Sequence, residues 1–151
     1  MTNPDSAIGR AVDENLARDL LSAFSAMANS PSEENLARLA TFYAPDLRFE
    51  DPGQIFERWE AYANAFMHFR SAAKVGLNLQ EWALGDNSLF LRWGFFMHSG
   101  DAFEGDPDYN SGDAAIEFDG FTFFRFNADG KVQFQQEGWA EVPSAYRQHL
   151  R

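Results

Sequence analysis

Residues 115–142 read AIEFDGFTFFRFNADGKVQFQQEGWAEV, and the fold turns on this stretch. Ala115 to Phe126 is a long aromatic strand, and Val132 to Val142 is another. Between them Asn127-Ala128-Asp129-Gly130 makes a hairpin turn, with Gly130 able to take a positive φ. Working back, Leu89 to His98 is a third strand. Its aromatics barely alternate with polar residues, which predicts cover on both faces. Val75 to Leu84 alternates and stops at Gly85-Asp86-Asn87. Ser99 to Asp113 is an acidic loop. Everything earlier is mainly helical. Val12, Leu16, Leu20, Ala23, Phe24 and Met27 recur at helical spacing over residues 12–28. Ser30-Pro31-Ser32-Glu33 predicts a new helix with Ser30 as N-cap and Pro31 in its first turn. Leu36, Leu39, Ala40 and Tyr43 are its buried stripe, and Pro45 ends it. Leu47 to Asp51 alternates briefly, and Pro52-Gly53 turns the chain. Phe56, Trp59, Tyr62, Phe66 and Phe69 mark a third helix with an aromatic face. Pro143 to Arg151 is a short helix or a tail. Helices followed by strands predict an α+β fold, with a curled, mostly antiparallel sheet wrapped around the N-terminal helices. The interior is then a cone open at one end.

Composition narrows the function. The chain has 151 residues and no internal repeat, so it is expected to be one domain over 1–151, with a core of about 12–142 and tails at 1–11 and 143–151. It has no cysteine, which excludes disulfides, thiolate metal sites and a cysteine nucleophile. A reducing cytosol fits, so a cytoplasmic location is the expectation. Met1 to Arg10 is polar and does not resemble a signal peptide, and no apolar run approaches a membrane span. The net charge is -11 with no basic stripe, which argues against nucleic acid and anionic membranes as partners. Sixteen residues are phenylalanine, so the interior is either a tight aromatic core or an apolar pocket.

Four stretches carry a family resemblance. They are Phe42 to Pro52 (FYAPDLRFEDP), Gly85-Asp86 through Leu91-Arg92-Trp93, Asp119-Gly120 through Val132, and the closing Glu137-Gly138-Trp139. In order and spacing the chain resembles the nuclear transport factor 2-like (cystatin-like) superfamily in its SnoaL-like branch. Ketosteroid isomerases, polyketide cyclases and limonene-type epoxide hydrolases belong to that branch. The resemblance implies the cone and, as a site, Asp51, Arg92 and Glu137. Asp51 aligns with the general base of the isomerases; its other reading is that it fixes the Pro52-Gly53 turn. Arg92 aligns with the arginine that bridges two aspartates in the epoxide hydrolases. Gly94 takes the place of the first aspartate and Glu137 that of the second. The alternative is a structural Arg92–Glu137 ion pair holding two strands together. The isomerases' oxyanion-holding tyrosine and aspartate fall at Phe24 and Thr122, so those donors are largely missing.

With period two, Arg92 shares a face with Phe90, Gly94, Phe96 and His98, which the resemblance turns inward. The expected binding surface is then Phe24, Trp59 and Phe66 from the helices and Phe90, Phe96, Phe118, Thr122, Phe124 and Trp139 from the sheet. His98 stands at its rim, as a second acid–base group or merely solvated. Gln135 and Trp139 share the face of Glu137, and Gly138 is a candidate bulge. The opposite face would show Trp93, Phe95, Phe121 and Phe123, enough aromatic surface to predict a homodimer through the outer face. His68 and His149 have no ligand-type spacing. Asp106, Asp108 and Asn110 with Glu117 imitate a calcium loop, but Ser111 stands where glycine is needed, and a solvated acidic lip is the plainer reading. No metal or organic cofactor is required. Three functions fit: acid–base chemistry on a small, apolar, uncharged molecule by proton transfer or water addition; ligand binding without chemistry; or a dimerisation module with a filled cone.

Overall fold

The computed structural model describes residues 12–72, 75–98 and 115–141, with side chains described over 12–69, 76–95 and 118–140. Helix α1 (Glu14–Asn29) starts where Asp13 accepts a hydrogen bond from the Leu16 N–H at 2.8 Å. One stripe of it, including Leu16, Leu20, Phe24 and Met27, is buried. Ser30 closes α1 with its own N–H on the Ala26 carbonyl. Helix α2 (Glu33–Ala40) is capped by Ser32, which accepts from the Asn35 N–H at 3.0 Å, so the expected cap moves from Ser30 to Ser32 and Pro31 lies outside the helix. The reason is local: Ser30 is already committed to the end of α1.

Strand β1 (Tyr43–Glu50) begins four residues earlier than expected, with Tyr43 on a strand and not on the helix stripe. Pro45 sits inside β1 because the pairing with the last strand shifts register between Tyr43 and Arg48, which releases the N–H that proline lacks. Two-residue strand β2 (Ile55–Phe56) and helix α3 (Trp59–Ala72) follow. Then come β3 (Val75–Leu84), β4 (Ser88–His98), β5 (Ala115–Phe126) and β6 (Val132–Glu141). Gly130 in the β5–β6 turn has φ 72°, as its turn position requires.

The six strands form one open sheet in the order β2-β1-β6-β5-β4-β3. Among the described residues β1–β6 is parallel and the other pairs are antiparallel. This is the α+β cone, with α1 and α3 against the concave face of the sheet. The core there joins Leu16, Leu20 and Phe24 of α1 to Leu91, Phe124 and Val132 of the sheet. Among the described residues no helix is long and apolar enough to cross a membrane.

The facing of β4 corrects the reading from alternation. Leu89, Leu91 and Trp93 are buried on the concave side, and Phe95 packs against the same core. Phe90 and Arg92 point outward. Phe90 is 43% exposed and stacks on Phe121, while the Arg92 side chain is 53% exposed and lies 3.6 Å from Glu81. With apolar residues on both faces, alternation carried no parity. The cost of desolvating a guanidinium decides it, and Arg92 goes to water. Trp93 and Phe95 therefore leave the expected outer aromatic set, in which Phe121 and Phe123 remain. Register runs unbroken through Gly138, so there is no bulge there, and the Glu137 face keeps its parity.

Candidate functional site

The concave face, α1 and α3 enclose an open cavity of about 300 Å³. Its walls are mostly aromatic: Phe24 and Phe66 from the helices, Phe49 from β1, Trp93 and Phe95 from β4, Phe118 from β5. Trp139 (39% exposed) and Phe69 (44% exposed) also line it. Polar groups enter at few points, chiefly Asp51, Gln54, Tyr62 and Glu137.

Glu137 is held by a chain of side chains that the register brings together. Thr122 pairs with Glu137, and Leu91 pairs with Thr122 across the next ladder. The Trp93 indole N–H donates to Thr122 Oγ1 at 2.9 Å, and Thr122 Oγ1 donates to Glu137 Oε1 at 3.4 Å. The second donor to Oε1 is Gln135 Nε2 at 2.9 Å. Gln135 is fully buried (0% exposed), so its amide must be satisfied internally. Its Nε2 also donates to the Tyr62 hydroxyl at 3.3 Å, and its Oε1 accepts from the Tyr43 hydroxyl at 2.6 Å. Tyr43 and Tyr62 are in turn wedged among Trp59, Phe49 and Phe66.

Burial pushes the Glu137 carboxyl up to about 7 from 4.5, and the negative charge of Asp51 adds to this, while the hydrogen bonds from Gln135 and Thr122 pull the other way. Burial likewise raises Tyr62 and Tyr43 well above 10, so both remain neutral phenols. A carboxyl poised near neutrality in an apolar cavity is a usable proton donor and acceptor.

Of the three expected catalytic residues, Asp51 and Glu137 reach the cavity and Arg92 does not. The expected Arg92–Glu137 pair is absent for the parity reason above. Asp51 also holds its turn: Oδ1 accepts from Gly53 N at 2.7 Å and Gln54 N at 2.9 Å, and Oδ2 accepts from Gln54 Nε2 at 3.0 Å. The turn-fixing reading thus describes the placement of Asp51, whose carboxyl also lines the cavity. Among the expected binding residues, Phe24, Phe66, Phe118 and Trp139 line the cavity. Thr122 and Phe124 are buried behind its wall, Trp59 packs on Tyr43 at 4.5 Å, and Phe90 is on the far side of the sheet. The side chains of Phe96 and His98, and the acidic loop from Asp101 to Asp113, lie outside the described residues. Among the described residues no cluster of three His, Asp or Glu is placed to hold a metal.

Sequence reasoning did not assign Tyr43, Tyr62, Trp93 or Gln135 to the site. The usable signals were Gln135 on the Glu137 face and Tyr62 on the aromatic face of the third helix. Gln135→Met removes a donor to Glu137 and strands the Tyr43 hydroxyl. The Glu137 titration, followed by carboxyl-carbon NMR, is expected to move above 7, since the lost bond favoured the charged form. Stability is expected to fall by about 1–3 kcal/mol in denaturant melts.

A family model described as a SnoaL-like domain matches residues 18–134. The chain belongs to the SnoaL-like family. No curated protein matches its sequence. Solved structures share the fold at low identity. TsrD from Streptomyces laurentii is 17% identical with a TM-score of 0.66, covering 85% of this chain and 90% of its own. SalBIII, an epoxide hydrolase/cyclase-like enzyme of pyran ring formation in salinomycin, is 14% identical with a TM-score of 0.63, covering 85% and 93%. An epoxide hydrolase of the LEH-like type from M. tuberculosis is 12% identical with a TM-score of 0.58, covering 82% and 84%. These likenesses place this SnoaL-like chain in its fold, and its chemistry has to be argued from the cavity.

Proposed function

We propose that this SnoaL-like protein is an enzyme that moves a proton on, or adds water to, a small, uncharged, apolar molecule, with Glu137 as the acid–base group. The carrying observation is one carboxyl, poised at about 7, at the polar end of an aromatic cavity. A cavity of about 300 Å³ is roughly twice the size that takes benzene, which suits a substrate of one or two rings. The charges of Asp51 and Glu137, in a chain of net charge -11, disfavour an anionic substrate. The epoxide hydrolases and cyclase-like enzymes among proteins of this fold support acid–base chemistry. With Arg92 in solvent, the site works without the bridging arginine that the family resemblance implied.

The test uses nitrobenzisoxazole, an uncharged bicyclic probe. A base takes its ring C–H proton, the electron pair forms the nitrile, and the N–O bond breaks to a phenolate. Turnover is expected to exceed that of free acetate and to rise through an inflection near pH 7, as Glu137 ionises. A rate no higher than acetate's at equal concentration leaves a binding module without chemistry.

A further inference from the structure

Glu137 is not the only group whose hydrogen-bond capacity points into the cavity. An ionised carboxylate only accepts, so the Gln135 amide must turn Nε2 toward Glu137, and the 2.6 Å donation from Tyr43 fills the opposite end. The second N–H of Nε2 then goes to the Tyr62 oxygen at 3.3 Å. Tyr62 is thereby an acceptor from Gln135, and its own O–H has to donate elsewhere. Among the described residues no acceptor lies within reach of that proton, and Tyr62 lines the cavity. Sharing one nitrogen at 2.9 and 3.3 Å, Glu137 Oε1 and the Tyr62 oxygen are at most about 6 Å apart. One small molecule can touch both, with a hydrogen bond at each end.

We propose that Tyr62 is a second catalytic group of the site, donating a hydrogen bond to an oxygen of the bound molecule beside the atom that Glu137 protonates or deprotonates. The substrate class is thus an uncharged one- or two-ring molecule bearing a hydrogen-bond-accepting oxygen. Gln135 is the positioning residue that aims both groups. This rests on the reading of Glu137 as the acid–base group, but the donor itself is testable without turnover.

Indanone, a two-ring ketone, is the probe. Its carbonyl stretch bound to the wild-type protein is expected at lower frequency than in cyclohexane, and to return toward the cyclohexane value in Tyr62→Phe. That variant keeps the ring packing on Phe49 and Phe66. Binding is expected to weaken roughly tenfold, the worth of one neutral hydrogen bond. A wild-type band at the cyclohexane frequency, an equal shift in both proteins, or no binding of indanone overturns the proposal. The wild-type spectrum alone decides the first and third outcomes if the variant does not fold. With benzisoxazoles of graded leaving-group acidity, Tyr62→Phe is expected to steepen the dependence on the leaving group and to leave the inflection near pH 7 in place. Absent turnover with a shifted carbonyl band would end the Glu137 reading and keep the donor; turnover with an unshifted band would do the reverse.

Discussion

Glu137→Gln is expected to slow proton abstraction from nitrobenzisoxazole by about 10²–10⁴-fold, the usual range for removing a positioned general base. The amide has the shape of the carboxyl and keeps an oxygen to accept from Gln135 and Thr122, so the cavity survives while its base is gone. The same variant reports on stability. Glu137 ionises near 7 in the folded protein against 4.5 as the ordinary value. The folded state therefore holds a proton that the unfolded state has lost between those two pH values. Below 4.5 the group costs nothing. Between 4.5 and 7 its contribution to stability falls, and above 7 the cost is complete, at up to about 3 kcal/mol. The glutamine variant lacks this component. Denaturant melts of both proteins are expected to diverge through this window, with the variant gaining on the wild type as pH rises and the gap constant above 7. Carboxylates that do not interact with Glu137 contribute alike to both proteins and cancel. A gap independent of pH would mean that Glu137 is not a desolvated carboxyl.

The fold was largely legible because its strands are bounded by strong local signals. β3 and β5 start and stop at the residues that alternation and Gly85-Asp86 or Asn127 to Gly130 indicate. The α2 cap falls at Ser32 and not at Ser30 because the two serines compete for one helix start and the Ser30 N–H is already committed to the end of α1. The parallel β1–β6 pair was invisible, since Tyr43 and Val132 meet through topology and not through any local turn. For the site, Glu137 was marked by the family resemblance, with Gln135 and Trp139 on its face. Its supports were not, because Tyr43 and Tyr62 lie far from Gln135 in sequence and converge only when the sheet curls over α3. Arg92 misled for the opposite reason: a motif match suggested an inward charge, while burial of Leu91 and Trp93 on the concave side turns Arg92 outward beside Glu81.

Gly120→Ala tests how closely the sheet and the site depend on one another. Gly120 lies on the concave side of β5, paired with Trp93 on one flank and Trp139 on the other. A Cβ there would overlap the six-membered ring of Trp93 and come within 2.6 Å of the Gly138 carbonyl oxygen. The ring is packed and the carbonyl is backbone, so neither yields cheaply. A loss of about 3 kcal/mol, the upper part of the range for overpacking, is expected in denaturant melts. The damage should reach the chemistry, because moving Trp93 breaks its 2.9 Å bond to Thr122, the second support of Glu137. Thr122 then loses the donor that fixes its hydroxyl toward Glu137, and a weaker Thr122 bond raises the Glu137 carboxyl further, so its NMR titration should shift above 7 in the same protein. Gly94→Ala is the matched control on β4. Its Cβ would meet chiefly the end of the flexible Gln80 side chain at 3.0 Å, which can swing aside. There the reduced freedom of the unfolded chain offsets the contact, and stability is expected to change by no more than about 0.5 kcal/mol, with the titration unmoved. Equal effects of the two substitutions would show that glycine matters in these strands for flexibility alone, and that the Trp93 ring does not brace the acid–base group.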